Sequence, residues 1–392
     1  MTKGPLKIAV VAGEVSGDLL GGDLVAALRS AFPGDIDITG VGGPALERQG
    51  LKSLFDFSEL SIMGISQVLK RLPLLLGRIR QTADAIIAAK PDVLLIIDSP
   101  DFTHRVAKRV RKARPDLPIV NYVCPSVWAW KEQRAPRMRG YVDHVLALLP
   151  FEPEVMERLG GPMTTYVGHR LVSDPDIGRI RAQRLARPET PPGERRCLLL
   201  PGSRSTEITR LLPVFGETAR ILAERNPGIG FLLPTVPRQE ALVRRLTSDW
   251  PVKPVITVTP EEKWQAFVEA DAAIAASGTV ILELALARVP VLSTYRFDWL
   301  ANFFVGRLKI WTAAIPNMIA DYGIVPEFLN EQVRPGSLAR GFERLAAATT
   351  ERQAMLEGYD LVLERMQTVR PPGETGAAVI LDLLATKKPG HF

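Results

Sequence analysis

Twice along the chain, short runs of β-branched and leucine-rich residues alternate with longer stretches of helical spacing, and this rhythm restricts the fold more than any other feature. In the first series Lys7 to Ala12, Asp92 to Ile97, Ile119 to Val123 and His144 to Leu149 read as strands. In the second series Cys197 to Leu200, Gly230 to Leu233, Val255 to Thr257, Ala272 to Ala275 and Val289 to Thr294 do so. Strands separated by helix-length segments are βαβ units, and these build parallel sheets covered by helices. A stretch rich in Pro, Arg and Gly, Arg181 to Arg196, lies between the two series and places a domain junction near 166 to 196. After Thr294 the pattern turns helical to the end, and Pro371, Pro372 and Gly373 set off a last helix, Glu374 to Thr386. The expected fold is α/β: two Rossmann-like, doubly wound domains facing each other across a cleft. Ligands bind outside the carboxyl ends of strands in such sheets, so the loops there should hold the chemistry.

At 392 residues the chain outgrows a single hydrophobic core, which agrees with two domains. Its 46% apolar and 23% charged content excludes disorder. The net charge of +6 favours an anionic partner without choosing among nucleic acid, anionic lipid and a phosphorylated metabolite. Cys124 and Cys197 are far apart, each in an apolar run, so a reducing compartment is expected rather than a disulfide framework. Lys7 to Ala12 is too short an apolar run for a signal-peptide core, and no run reaches the roughly 18 uncharged residues of a membrane span. Any membrane contact is therefore expected to be peripheral. The four histidines are scattered and neither cysteine has a ligand-spaced neighbour, so no metal is expected. No G-x-S-x-G elbow supports a nucleophilic serine.

Five loops follow strands and carry reactive residue types. Gly13-Glu14-Val15-Ser16-Gly17-Asp18 opens a helix that Ser16 can cap; its spacing is not a dinucleotide fingerprint, and a structural tight turn is the alternative. Gly42-Gly43-Pro44 reads as a structural turn. Asp98 ends a buried-looking strand ahead of Pro100, too early to cap the next helix, and suits a general base; Asp101 reads as the cap. Tyr122 to Lys131 holds Trp128 and Trp130 two residues apart, one expected in the core and one available to a sugar face or acyl chain, with Lys131 and Arg134 adding charge. In Leu200 to Glu207, the N–H groups of Gly202 and Ser203, the helix dipole and the Arg204 fork suit a diphosphate; the alternative is a surface pair of Arg204 with Glu207. Ser277, Gly278 and Thr279 form a matching turn, with Glu283 one helical turn on, placed to accept from ribose hydroxyls. Two anion-binding turns in one domain suit a nucleotide diphosphate, although GxxxxGK[ST] is absent.

Together these stretches resemble the lipid-A-disaccharide synthase family, inverting glycosyltransferases of the GT-B fold. AGEVSGD (12 to 18), VGGP (41 to 44), IMGISQVL (62 to 69), IDSPDF (97 to 102), YVCPSVWAWK (122 to 131), LPFE (149 to 152), VGH (167 to 169), LLPGSR with Glu207, ASGTVILE (276 to 283) and IPNMIA (315 to 320) carry the likeness in family order. Val15 and Ser99 are conservative departures. The resemblance implies transfer from UDP-2,3-diacylglucosamine to 2,3-diacylglucosamine 1-phosphate, giving the β-1',6-linked lipid A disaccharide 1-phosphate and UDP, a step in lipopolysaccharide synthesis. It implies Asp98 or Glu14 as base, and Arg204, Ser277, Thr279, Glu283, Tyr295, Arg296 and Asn317 on the donor side. It also implies a donor domain at 171–369 and an acceptor and lipid domain at 1–170, with a last helix at about 370–392 crossing back onto it. The expected partners are the two acylated sugars and the anionic inner-membrane surface from the cytoplasmic side, with no nucleic acid and no cofactor. Ser16, Met63, Val68, Leu69, Leu72, Leu75, Leu76, Trp128, Trp130 and Lys131 are the expected acceptor and lipid residues.

The segment Ile62 to Arg80 has two readings. Ile65, Val68, Leu69, Leu72, Leu75, Leu76 and Ile79 follow helical spacing beside Lys70, Arg71, Arg78 and Arg80, with Pro73 and Gly77 expected to kink or divide the helix. The stripe either faces the core or docks on anionic lipid. Two other functions compete with the transferase: a nucleotide-sugar epimerase of the same two-domain fold, which needs no lipid acceptor, and a non-enzymatic peripheral membrane protein.

Overall fold

Each strand series closes into its own six-stranded parallel sheet. The computed structural model describes residues 4–60, 65–297 and 310–387, with backbone alone for 65–72 and 387; Met63 lies outside the described residues. The chain divides into two compact units, Met1–Arg170 with Thr368–Phe392, and Leu171–Gln367.

In the first unit β1 (Leu6–Ala12), α1 (Val15–Ala31), β2 (Ile36–Val41), α2 (Pro44–Arg48), α3 (Ile65–Ala89), β3 (Val93–Ile97), α4 (Pro100–Ala113), β4 (Ile119–Tyr122), α5 (Arg134–Met138), β5 (His144–Ala147), α6 (Glu152–Arg158) and β6 (Met163–Tyr166) follow one another. The strand order is β2-β1-β3-β4-β5-β6. Both faces of the sheet are buried, as a parallel sheet between helices requires. Along β1, Ile8, Val10 and Ala12 enter one core cluster while Ala9 and Val11 enter the other. The C-terminal helix Pro372–Lys387 packs on α1, and its Ala377, Ile380 and Leu384 join the cluster that holds Leu24 and Val25.

In the second unit α7 (Pro175–Ala186), β7 (Arg196–Leu200), α8 (Ser205–Arg225), β8 (Gly230–Pro234), α9 (Glu240–Thr247), β9 (Val255–Thr257), α10 (Pro260–Glu269), β10 (Ala272–Ala276), α11 (Thr279–Leu286), β11 (Val291–Tyr295), α12 (Ile315–Ala320), β12 (Glu327–Leu329), α13 (Pro335–Ala346) and α14 (Thr350–Met366) build a sheet of order β12-β11-β10-β7-β8-β9. Both sheets are doubly wound and reverse direction once, between β1 and β3 in the first and between β7 and β10 in the second.

The structure corrects several expectations. β2, β6 and β12 escaped the sequence reading, and β12 interrupts the region after Thr294 that reads as wholly helical. All three are sheet edges, where less burial tolerates the polar content of Met163-Thr164-Thr165-Tyr166, a strand with no buried residue. The Arg181 to Arg196 stretch is not a free linker. Its first residues belong to α7, and the Arg184 guanidinium donates to the carbonyls of Phe267, Ala270 and Arg288 in the second unit.

α3 is also undivided: one helix of 25 residues runs through Pro73. Proline removes one backbone bond and crowds the preceding turn, but Ile79, Ala83 and Ile86 are buried in the core and anchor the helix beyond it. N-terminal to that anchor, Leu74 and Leu76 are 43% and 48% exposed, and Leu75 is half-buried. The apolar stripe thus splits into a core-facing end and an outward-facing stretch. Arg78 leaves the basic flank, because its guanidinium makes a two-pronged pair with Glu59 at 2.7 and 2.8 Å. For Val68, Leu69 and Leu72 only the helical backbone is described.

Candidate active site

The reversal in the first sheet brings together the loops after β1 and β3, which are far apart in sequence. A Cβ on Gly13 would lie 2.2 Å from that of Ser99, so only glycine lets the two loops touch here. Across this contact Ser16 donates its hydroxyl to Asp98 Oδ2 at 3.3 Å, and Ser99 donates to Glu14 Oε1 at 3.3 Å. Both candidate bases therefore stand at one carboxyl edge.

Asp98 and Ser99 are consecutive left-handed residues, with φ of 54° and 43°. Non-glycine residues pay a strain energy of order 1–3 kcal/mol each for such a backbone, and strain of this kind concentrates at functional sites. The geometry turns the Asp98 carboxylate back over its own peptide, where Oδ1 accepts the Ser99 N–H at 2.7 Å.

Two capping expectations fail here. Helix α1 starts at Val15, so Ser16 lies inside the first turn and its hydroxyl faces Asp98 instead of the helix end. Likewise α4 starts at Pro100 with Ser99 at the N-cap, which leaves Asp101 in the first turn, exposed and 3.5 Å from Arg134. Asp18 is the buried acid of the first loop. Its carboxylate accepts from the N–H groups of Gly43, Ala45 and Leu46 at 2.7 to 3.2 Å, holding the Gly42-Gly43-Pro44 turn at the start of α2.

The tryptophan loop leaves β4 and divides its two rings. Trp128 is half-buried, edge-on to Phe151, and donates its indole N–H to Glu152 Oε1 at 3.3 Å. Glu152 is buried and also accepts from the N–H groups of Leu148 and Leu149. Burial pushes its carboxyl up to about 7, against the lowering effect of those three donors. Trp130 is 48% exposed, with the Lys131 ammonium 4.0 Å above its ring.

In the second unit the reversal between β7 and β10 opens a cavity of 630 Å³. Gly202, Ser203, Arg204 and Glu207 enter it from the β7 loop, and Ser277, Gly278, Thr279 and Glu283 from the β10 loop. The two turns are not equivalent. Gly202 has a φ of 103°, and the Glu207 carboxylate folds back beneath it to accept the N–H groups of Ser203 and Arg204, each at 3.3 Å. The start of α8 is thus covered by a carboxylate, which accepts from the Ser203 amide expected to meet a diphosphate. What this loop offers an anion is the Arg204 side chain, 64% exposed and paired through one terminal nitrogen with Glu207 at 2.8 Å. The start of α11 has no side-chain cap, so its leading N–H groups are left to solvent or a ligand, and Ser277 and Thr279 line the cavity beside them.

Lys263 and Trp264 also line the cavity and were missed by the sequence reading. The Lys263 ammonium lies 2.5 Å from Glu283 Oε2 and 4.3 Å above the Trp264 ring. The available signal was Thr259-Pro260-Glu261-Glu262, a capping box at the end of a third strand, where Thr259 and Glu262 exchange bonds. Three expected donor residues do not line this cavity. Tyr295 packs on Phe297 at the end of β11, and Arg296 donates to the Val333 carbonyl at 2.9 Å. Asn317 is buried, and its amide is spent on Thr312, Ile324 and Val325, where it ties α12 to the chain before β12. Among the described residues no group of three or more His, Cys, Asp or Glu is arranged to hold a metal ion, and no helix is long and apolar enough to cross a membrane.

Solved structures share this architecture at low sequence identity. A UDP co-structure of MnaA from S. aureus matches with a TM-score of 0.61 at 12% identity, covering 97% of this chain and 96% of its own. The glycotransferase of kitacinnamycin matches at 0.60 and 16%, covering 97% and 100%, and the UDP-GlcNAc 2-epimerase of Neisseria meningitidis, bound to UDP-GlcNAc, at 0.58 and 14%, covering 97% and 100%. At these identities the likeness shows the fold, of GT-B type, which transferases and epimerases share. Sequence separates them. Lipid-A-disaccharide synthase of Nitrobacter winogradskyi is 45% identical over 380 residues, and that of Rhodopseudomonas palustris strain HaA2 46% identical over 384, each covering 96% of both chains. The profile of the family described as lipid-A-disaccharide synthetase matches residues 8–369. On the strength of that span and of these nearly full-length relatives, the chain belongs to the lipid-A-disaccharide synthetase family.

Proposed function

We propose that the chain joins UDP-2,3-diacylglucosamine to 2,3-diacylglucosamine 1-phosphate with inversion, releasing UDP and the β-1',6-linked disaccharide 1-phosphate. The observation that carries this reading is the cavity at the β7/β10 reversal, where an exposed arginine, two hydroxyls, an uncapped helix N-terminus and a Lys263–Glu283 pair converge. That set suits a nucleoside diphosphate: Arg204 and the start of α11 meet the phosphates and stabilise the negative charge that grows on the leaving UDP. Glu283, held by Lys263, accepts from ribose hydroxyls.

In the first unit Asp98 takes the proton of the acceptor 6-hydroxyl as that oxygen attacks the anomeric carbon, with Ser16 fixing one carboxylate oxygen. Glu14, tied to Ser99, is the second candidate base. The first unit is then the acceptor side and the second the donor side. Tyr295, Arg296 and Asn317 act behind the donor cavity rather than on the ligand. The outward Leu74 and Leu76, with Trp130 and Lys131, supply apolar and basic surface for acylated substrates at an anionic membrane face. Incubating the purified protein with both lipid substrates and measuring UDP release tests the reading. No UDP, or UDP released equally without acceptor, overturns it.

A further inference from the structure

Immediately beyond the Asp98 loop, a second cavity of 550 Å³ opens between α4 and the segment around α5. Arg105, Lys108, Lys131, Arg134 and Arg137 line it against one carboxylate, Asp101. That carboxylate is 92% exposed and lies 3.5 Å from Arg134. Among the described residues Arg105, Lys108 and Arg137 take part in no ion pair. Two ammonium groups are held over aromatic faces, Lys108 at 4.8 Å from the Tyr141 ring centre and Lys131 at 4.0 Å from that of Trp130.

The His104 side of the cavity is neutral. His104 is buried, with Nδ1 3.0 Å from the Tyr141 hydroxyl and Nε2 3.1 Å from Asn121 Oδ1. Burial, with help from Arg134 and Lys108, drops its pKa to about 4, so the ring adds no charge at neutral pH. Five cations sharing one hollow repel each other, and a multiply charged anion relieves that repulsion. Phosphate monoesters present nearly two negative charges and three acceptor oxygens, which matches forked arginines and mobile lysines together.

The position narrows the choice further. Pro100 lines the cavity and is two residues beyond Asp98, so their Cα atoms are at most about 7.6 Å apart. The cavity thus begins beside the loop that carries Asp98. We propose that this basic cavity is a phosphomonoester site and, resting on the acceptor reading above, that it takes the 1-phosphate of the acceptor sugar.

The test is the double variant Lys108→Gln/Arg137→Gln, assayed by UDP release in detergent micelles. The acceptor KM should rise about tenfold or more, from the loss of two charge-assisted contacts, while the donor KM stays put. Glucosamine 1-phosphate should compete with the acceptor in the wild type and far less in the variant. Sedimentation with phosphatidylglycerol vesicles should be alike for both. An unchanged acceptor KM overturns the proposal, and if vesicle binding falls in its place, the cations serve lipid headgroups. If the double variant melts early, Arg105→Gln and Lys108→Gln replace it singly. Should the wild type release no UDP, the function reading fails on its own. Calorimetric titration with glucosamine 1-phosphate then decides the cavity: binding lost in the variant supports the site, and equal binding, or none to the wild type, removes it.

Discussion

Asp98 and Arg204 act on opposite partners of the proposed reaction, so their substitutions should separate. Asp98→Asn keeps the size and the Ser99 contact but abolishes proton acceptance. It should remove most turnover and leave UDP affinity near the wild-type value. Activity within a few-fold of wild type would pass the role to Glu14. Arg204→Ala should weaken UDP binding and slow turnover together, because the same fork meets the diphosphate before and during charge development; lysine should rescue only in part. Unchanged UDP affinity by calorimetry would exclude Arg204.

Glu152 provides a test by pH. Its carboxyl is raised from 4.5 to about 7, so its contribution to stability is present below 4.5 and is lost as pH rises through about 7. His104, depressed from 6.5 to about 4, has the opposite sign: its contribution is present above 6.5 and is lost as pH falls towards 4. Glu152→Gln should therefore make the melting temperature climb more steeply with pH between about 4.5 and about 7 than in the wild type. Parallel curves would mean that Glu152 is ionised throughout.

α3 carries two stretches with different surroundings along one helix. Ile79, Ala83 and Ile86 are core, whereas Leu74 and Leu76 have no cover within the described residues of their unit. Leu74→Ser with Leu76→Ser should abolish sedimentation with anionic liposomes at little cost in melting temperature or UDP binding. Ile79→Ala should instead cost roughly 2–5 kcal/mol of stability and leave membrane affinity per folded molecule unchanged. Early melting of the double serine variant would sink the docking role. Helical spacing alone merges both parts of the stripe, since periodicity reports which residues share a face and not what the face meets. The same limit applies to the two turns of the second unit. Glycine and hydroxyl residues follow a strand in both sequences, yet Glu207 covers one helix start, and no side chain caps the other.

Each unit has its own sheet, and the cavity proposed for the nucleotide is lined by residues of the second unit alone. A fragment spanning Leu171–Gln367 should therefore fold and bind UDP within a few-fold of the full chain, without turning over. A fragment that folds, as judged by cooperative melting, yet binds no UDP would show that the donor site needs the first unit. Much of this architecture was legible in the sequence, because the interior strands are buried on both faces and must read as continuous apolar runs bounded by glycine, proline and polar turns. The strand-end loops with Asp98, Arg204 and Ser277 stand out for the same reason, as polar residues directly after apolar runs. Edge strands β2, β6 and β12 did not, since one unpaired side and partial exposure relax that demand. Neither did Lys263 or the basic hollow beside α4, whose roles depend on which loops the strand order makes neighbours. Local composition determined that there are two parallel sheets and which strand ends carry chemistry. Only the tertiary structure decided which of those ends meet, because the reversals between β1 and β3 and between β7 and β10 join segments some 80 residues apart through hydrogen bonds that no local pattern encodes.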